Sequence, residues 1–140
     1  MPNNDSNNSL NALNMIQNII NRLNSNSFSL KGWTVSLVVG IFVLSNKDAN
    51  KVFFLLTYIP IIMFWFLDSY YLKKERLFRN LFDWTRKQSE ETIDFDLSIS
   101  EPHLKTKKTK FACCFFSISE VGFYLPLSIL TFVIIVLLTK

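Results

Sequence analysis

Three blocks of apolar residues, Phe28–Ser45, Val52–Leu67 and Gly122–Thr139, limit what this chain can fold into. No charge occurs between Val52 and Leu67, nor between Val121 and Thr139. A membrane-spanning helix needs about 20 apolar residues at about 1.5 Å rise each. The last block meets that length. The first two are about 16–18 residues long, and Trp33, Tyr58, Tyr70 and Tyr71 can extend them into the interface, where amphipathic rings are favoured. In a chain of 140 residues, three helices that are apolar on every side would find too little else to cover them as a soluble core. The expected fold is an all-α integral membrane protein with three transmembrane helices.

The first block does not read as a signal peptide. It follows 27 residues dominated by Asn and Ser, whereas a signal peptide has a short basic start directly before its apolar run. The chain divides as follows. Residues 1–9 are polar, low in complexity and expected to be disordered. Residues 10–25 repeat Leu10, Leu13, Ile16, Ile20 and Leu23 near helical spacing, which predicts an amphipathic helix that packs on a neighbouring chain or at the membrane interface. Residues 28–67 form a transmembrane hairpin turning at Asn46–Asn50, with Pro60 bending its second span. Residues 68–118 are cytoplasmic, and residues 119–140 hold the third span, with Pro126 near its first turn.

The 68–88 segment lacks Gly and Pro and continues the second span as an amphipathic stalk. One stripe carries Leu77, Phe78, Leu81 and Trp84. Lying outside the membrane, it would be an aggregation-prone patch unless it packed between subunits. A second line carries Asp68, Leu72, Glu75, Arg79, Phe82 and Arg86. Glu75 with Arg79, and Asp83 with Lys87, stand at i, i+4 in the favourable order. Beyond the stalk, residues 92–99 alternate strictly, the period of a half-buried strand, and residues 103–110 are expected to return as its partner in a short β-hairpin, with Asp96 opposite Lys107.

Ten of the 15 Lys and Arg lie between Lys73 and Lys110. The positive-inside rule therefore places residues 69–118 and the amino terminus in the cytoplasm, and the carboxy terminus outside. Lys105, Lys107, Lys108 and Lys110 could neutralise nucleic-acid phosphates, but beside a membrane such a cluster meets anionic lipid. Nucleic acid is the last-ranked partner.

Marks of chemistry are sparse. The single His103 and the adjacent Cys113 and Cys114 cannot make a four-ligand zinc site. No phosphate-binding glycine motif exists among three glycines. No metal, cofactor or enzymatic activity is expected.

The pattern L-D-x-Y-Y-L-x-x-E-R-x-F-R-x-L-F-D at residues 67–83, directly after a membrane hairpin, resembles the RipA-like family of small octameric bacterial inner-membrane proteins. The resemblance extends over roughly residues 28–140 and implies a homo-oligomer without supplying a catalytic residue. The layout is also similar to membrane effector modules of bacterial anti-phage systems, which breach or depolarise the membrane when a cytoplasmic sensor fires. The expected function is a homo-oligomeric, pore-forming or membrane-perturbing effector. Asp68, Glu75, Arg76 and Arg79 would pair between subunits, and the line Asp68, Leu72, Glu75, Arg79, Phe82 and Arg86 would face the path, since rings of charge set ion preference. The alternative is a non-conducting scaffold whose basic region recruits a protein partner.

Overall fold

The computed structural model describes residues 3–44, 54–87 and 106–138. These are helical, with no strand among the described residues. Helix α1 spans Asn3–Leu44, α2 spans Tyr58–Lys87, α3 spans Phe111–Phe115 and α4 spans Ile118–Leu138; a 3-10 turn at Lys107–Thr109 precedes α3.

Helix α1 is 42 residues long, about 63 Å at the rise of an α-helix. It unites what the sequence reading separates into a disordered tail, an amphipathic helix and a first span. The helix begins at Asn3, within the tail expected to be disordered. Nucleation is the costly step of helix formation, and each further residue adds a hydrogen bond. No Gly or Pro occurs between Asn3 and Lys31, so nothing in the sequence opposes propagation on either side of the amphipathic Leu10–Leu23 segment.

Helix α2 runs 30 residues without a break from the apolar block into the stalk. The two prolines exchange the roles expected of them. Pro60 is the third residue of α2 and sits in its first turn, where its missing N–H is tolerated. The chain opens just before it: the Leu56 carbonyl, which Pro60 cannot serve, accepts from the Ile59 N–H at 3.1 Å, and the Thr57 hydroxyl donates to the Phe54 carbonyl at 2.6 Å. Pro126 lies inside α4 rather than at its start, because α4 begins at Ile118.

Two apolar clusters join α1 to α2 along their length. Ile16 and Ile20 pack on Leu81, with Phe78, Phe82 and Trp84 around them. Val38 packs with Ile61, Phe64 and Tyr124, the last from α4. Residue numbers rise along α1 as they fall along α2, so the helices are antiparallel. The amphipathic half of α1 covers the stripe of α2 assigned above to subunit packing. Leu77 and Leu81 are buried within the single chain, and Leu81 packs on Ile16 and Ile20 of the chain's own amino-terminal helix.

The expected β-hairpin is not what residues 107–110 form. Lys107–Thr109 is a 3-10 turn in which the Thr109 hydroxyl donates to the Thr106 carbonyl and accepts from the Thr106 N–H, a local bond that competes with extended pairing. The strand at 92–99, the turn at 46–50 and Lys105 lie outside the described residues.

Two helical stretches, Leu10–Leu44 and Ile118–Leu137, are long and apolar enough to cross a membrane. Only 11% and 17% of their most apolar windows are buried, unlike the core helices of a soluble protein. Large apolar side chains stand exposed around α1, α2 and α4 alike, among them Val39, Val43, Ile59, Ile62, Met63, Ile129 and Phe132.

Candidate functional site

Three helices meet at a buried cluster of charge. Lys31 lies one turn into the first apolar block, Asp68 directly follows the second, and Glu120 is the third residue of α4. The antiparallel packing of α1 on α2 brings Lys31 beside Asp68, and Tyr124, one turn past Glu120, anchors α4 to the same place.

The Lys31 ammonium uses all three of its donors. It pairs with Asp68 Oδ2, reaches Glu120 Oε1 at 3.4 Å and donates to Ser27 Oγ at 3.2 Å. Asp68 is satisfied at both oxygens. Ser27 Oγ donates to Oδ1, and the Tyr124 hydroxyl donates to Oδ2 at 3.2 Å alongside Lys31. The ammonium also stands 5.9 Å from the centre of the Phe123 ring and 6.0 Å from that of Tyr124, within range of a cation–π attraction. Asp68 and Glu120 are buried, and Glu120 Oε2 has no hydrogen-bond partner.

Two carboxylates thus face one ammonium. Each buried ion loses several kcal/mol of hydration, which its partners must offset. Asp68 has enough partners to do so, whereas Glu120 has one bond to a shared lysine. The arrangement can therefore accept a proton or a small cation at Glu120, the kind of chemistry for which ionisable groups are kept within apolar segments.

Below the cluster, Arg76 clamps the chain that leads into α4. Its Nη1 donates to the Lys108 carbonyl at 2.7 Å and the Cys113 carbonyl at 3.4 Å, and its Nη2 donates to Ser117 Oγ at 2.9 Å. These bonds occupy carbonyls that the 3-10 turn and the short α3 leave open. Cys114 is buried under the same guanidinium; burial pushes its thiol up, and the Arg76 charge opposes this only in part. Trp65 stacks on Phe115 with ring centres 4.5 Å apart and donates its Nε1 proton to the Phe115 carbonyl at 3.1 Å.

The residues singled out from the sequence do not share one water-facing line. Asp68 and Glu75 are buried, Leu72 is half-buried, and Phe82 packs against the Ile16–Leu81 cluster; Arg79 and Arg86 are exposed. Arg79 Nε donates to Glu75 Oε1 at 2.7 Å, the i, i+4 pair the spacing gives. Arg86 reaches Asp83 at 3.6 Å, in place of the expected Asp83–Lys87 pair. Asp68, Glu75, Arg76 and Arg79, expected to pair between subunits, each have partners within their own chain. Helix α1 and Tyr124 supply the partners of Asp68, the 106–117 segment those of Arg76, and Glu75 and Arg79 serve each other within α2. Lys107, Lys108 and Lys110 are exposed, as a lipid-facing patch requires.

The sequence reading passed over Lys31, Glu120, Tyr124 and Ser27. Lys31 was legible as the one charge within Phe28–Ser45, and Glu120 as the acid at the head of the third block. A lone charge of each sign in two apolar blocks, beside Asp68 at the end of another, was the available signal.

Among known proteins, no family model, no curated protein and no solved structure matches this chain.

Proposed function

We propose that this chain is an integral inner-membrane protein with three crossing segments, which assembles as a homo-oligomer and acts by admitting small cations through the bilayer. The observation that carries this reading is the meeting of Lys31, Asp68 and Glu120. They mark the start of the first apolar block, the end of the second and the start of the third. Three blocks that share one boundary in that order leave it in alternating directions, as three successive spans do. The belt of exposed apolar side chains beyond the cluster is what a lipid environment would cover.

The surplus carboxylate supports the conducting role. Glu120 brings negative charge to the mouth of the apolar region and has an oxygen without a donor, which attracts cations and repels anions. The resemblance to the RipA-like family and to membrane effector modules points the same way and suggests about eight copies per assembly, with a cytoplasmic sensor as the trigger. The mass of the detergent-purified complex and the current it passes in planar bilayers test the reading. A cation-selective current from an oligomer is expected, with depolarisation of cells that overproduce the protein. A lone monomer, or bilayers silent under every trigger while cells keep their potential, overturns it.

A specific observation favours the second reading, a non-conducting scaffold. The apolar stripe of α2 and the charges of Asp68 and Glu75 are engaged within the chain, leaving no continuous charged line on α2. Exposed Lys107, Lys108 and Lys110 would then hold a protein partner at the membrane surface.

A further inference from the structure

We propose that the groove between α1 and α2, on the side away from Glu120, binds one anionic phospholipid. It is a cavity of about 290 Å³ lined by Asn26, Ser29, Leu30, Trp33, Phe64 and Tyr71. Its two walls are a stripe of α1 and a stripe of α2 that run antiparallel, so Asn26 lies towards Tyr71 at one end and Trp33 towards Phe64 at the other. The groove is graded along its length of about 10 Å, two helical turns. The Phe64 end is apolar and lies within the apolar blocks. The Tyr71 end offers an amide, a hydroxyl and a phenol at the level where those blocks stop.

Charge completes the site. Arg22 stands one turn beyond Asn26 on the same stripe of α1, and Lys74 stands one turn beyond Tyr71 on the same side of α2. Neither makes an ion pair among the described residues, and the Lys74 ammonium rests 5.5 Å from the centre of the Tyr70 ring. Two cations without an ion pair among the described residues, set beyond the polar end of an apolar groove, match a phosphate headgroup above its acyl chain. They do not match a neutral amphiphile, which would leave both charges unanswered. Asn26 can donate to an ester carbonyl, and Trp33 and Tyr71 have the amphipathic rings favoured at this depth. The site is distinct from the exposed lysines at 107–110, none of which lines this groove.

The proposal rests on the membrane reading, and its test separates the two. The full chain is reconstituted in phosphatidylethanolamine vesicles containing one fifth phosphatidylglycerol, extracted into mild detergent, and weighed intact by native mass spectrometry. One phosphatidylglycerol retained per chain is expected, with phosphatidylethanolamine lost. Arg22→Gln with Lys74→Gln should reduce retention about thirtyfold, the effect of losing two surface cations opposite an anionic headgroup. Ser29→Trp, which fills the groove without changing charge, should reduce it as much while leaving the Lys31–Asp68 pair intact. Free inorganic phosphate added at the same concentration should not displace the lipid. Retention by both variants at the wild-type level, or retention of the zwitterionic lipid equal to that of phosphatidylglycerol, overturns the site. Resistance of the inserted chain to carbonate extraction is scored in the same preparations; a chain released by carbonate overturns the membrane reading as well.

Discussion

The Lys31 ammonium lies against the Asp68 carboxylate and ties α1 to α2 across 37 positions of sequence. Removing one member of a buried pair is costlier than the pair is worth, because the survivor keeps its charge without compensation. Lys31→Met leaves two buried carboxylates facing each other. It should lower stability by about 3 kcal/mol, read as a fall in the melting temperature of the detergent complex. Lys31→Met combined with Asp68→Leu and Glu120→Leu should recover most of the loss, since apolar residues then replace the whole ionic cluster and no buried charge is left without a partner. A combined variant no better than the single one would show that Asp68 or Glu120 has a partner more important than Lys31.

Leu81 sits between Ile16 and Ile20 of its own chain. Leu81→Ala should therefore cost about 2–4 kcal/mol through the cavity it opens, with the same loss at every protein concentration. A subunit interface would behave differently, because its stability depends on concentration by mass action. A melting temperature that falls on dilution in Leu81→Ala but not in the wild type would return this stripe to the interface between copies. Limited proteolysis gives a second readout: cleavage within residues 10–25 should accelerate in the variant.

The general character of the fold was legible because apolar blocks and helical spacing are local properties. The α2 stalk followed from a run with no Gly or Pro, and the Glu75–Arg79 pair from its spacing. The site was half legible. Asp68 stood out as a charge at the edge of an apolar block, but its partners lie 37 and 56 positions away, and no local period records such distances. For the same reason, the cover that Leu77, Leu81 and Arg76 find within the chain was not legible. Their apolar or charged surface was read correctly, whereas the element that covers it, α1 or the 106–117 segment, was not among the neighbours considered. Pro60 and Pro126 were misjudged for a different reason. A proline's effect depends on where its helix starts, and block edges fix that only to within a turn or two.

Cys113 is exposed and Cys114 is buried beneath Arg76. Burial raises the Cys114 thiol, and it outweighs the opposing guanidinium charge. A raised thiol stays protonated as pH climbs through the ordinary thiol range, and only the thiolate reacts. In Cys113→Ser protein, a maleimide should label Cys114 slowly at pH 8 and faster only well above it. Arg76→Gln breaks the clamp on the Lys108 and Cys113 carbonyls. Labelling at pH 8 should then rise about tenfold or more as burial is lost. If the variant labels more slowly, the guanidinium charge, rather than burial, governs this thiol.

The proposed orientation is open to direct measurement. With ten Lys and Arg between Lys73 and Lys110, the intervening segment should face the cytoplasm. An impermeant thiol reagent applied to intact cells should label Lys140→Cys and spare Gln88→Cys, each in a background lacking Cys113 and Cys114. The reverse pattern inverts the topology. Labelling of both would mean that the chain crosses an even number of times between the two positions.

Glu120 distinguishes conduction from architecture. It is the second carboxylate on a lysine already paired with Asp68, and its Oε2 has no donor. Glu120→Gln keeps the shape and one oxygen towards Lys31, removes one negative charge, and leaves a balanced Lys31–Asp68 pair. Relief of the surplus buried charge should leave the melting temperature unchanged or raise it. If cations pass the cluster, loss of that charge weakens their attraction there. Unitary current should then fall about tenfold, roughly what one charge contributes at an effective dielectric between those of water and protein, and selectivity over anions should fall with it. Stability and current move in opposite directions under this account, which a merely structural Glu120 would not produce. A Glu120→Gln protein that conducts as well as the wild type removes the cluster from the ion path. One that conducts less because it has lost its fold would melt lower, and the melting measurement identifies that case.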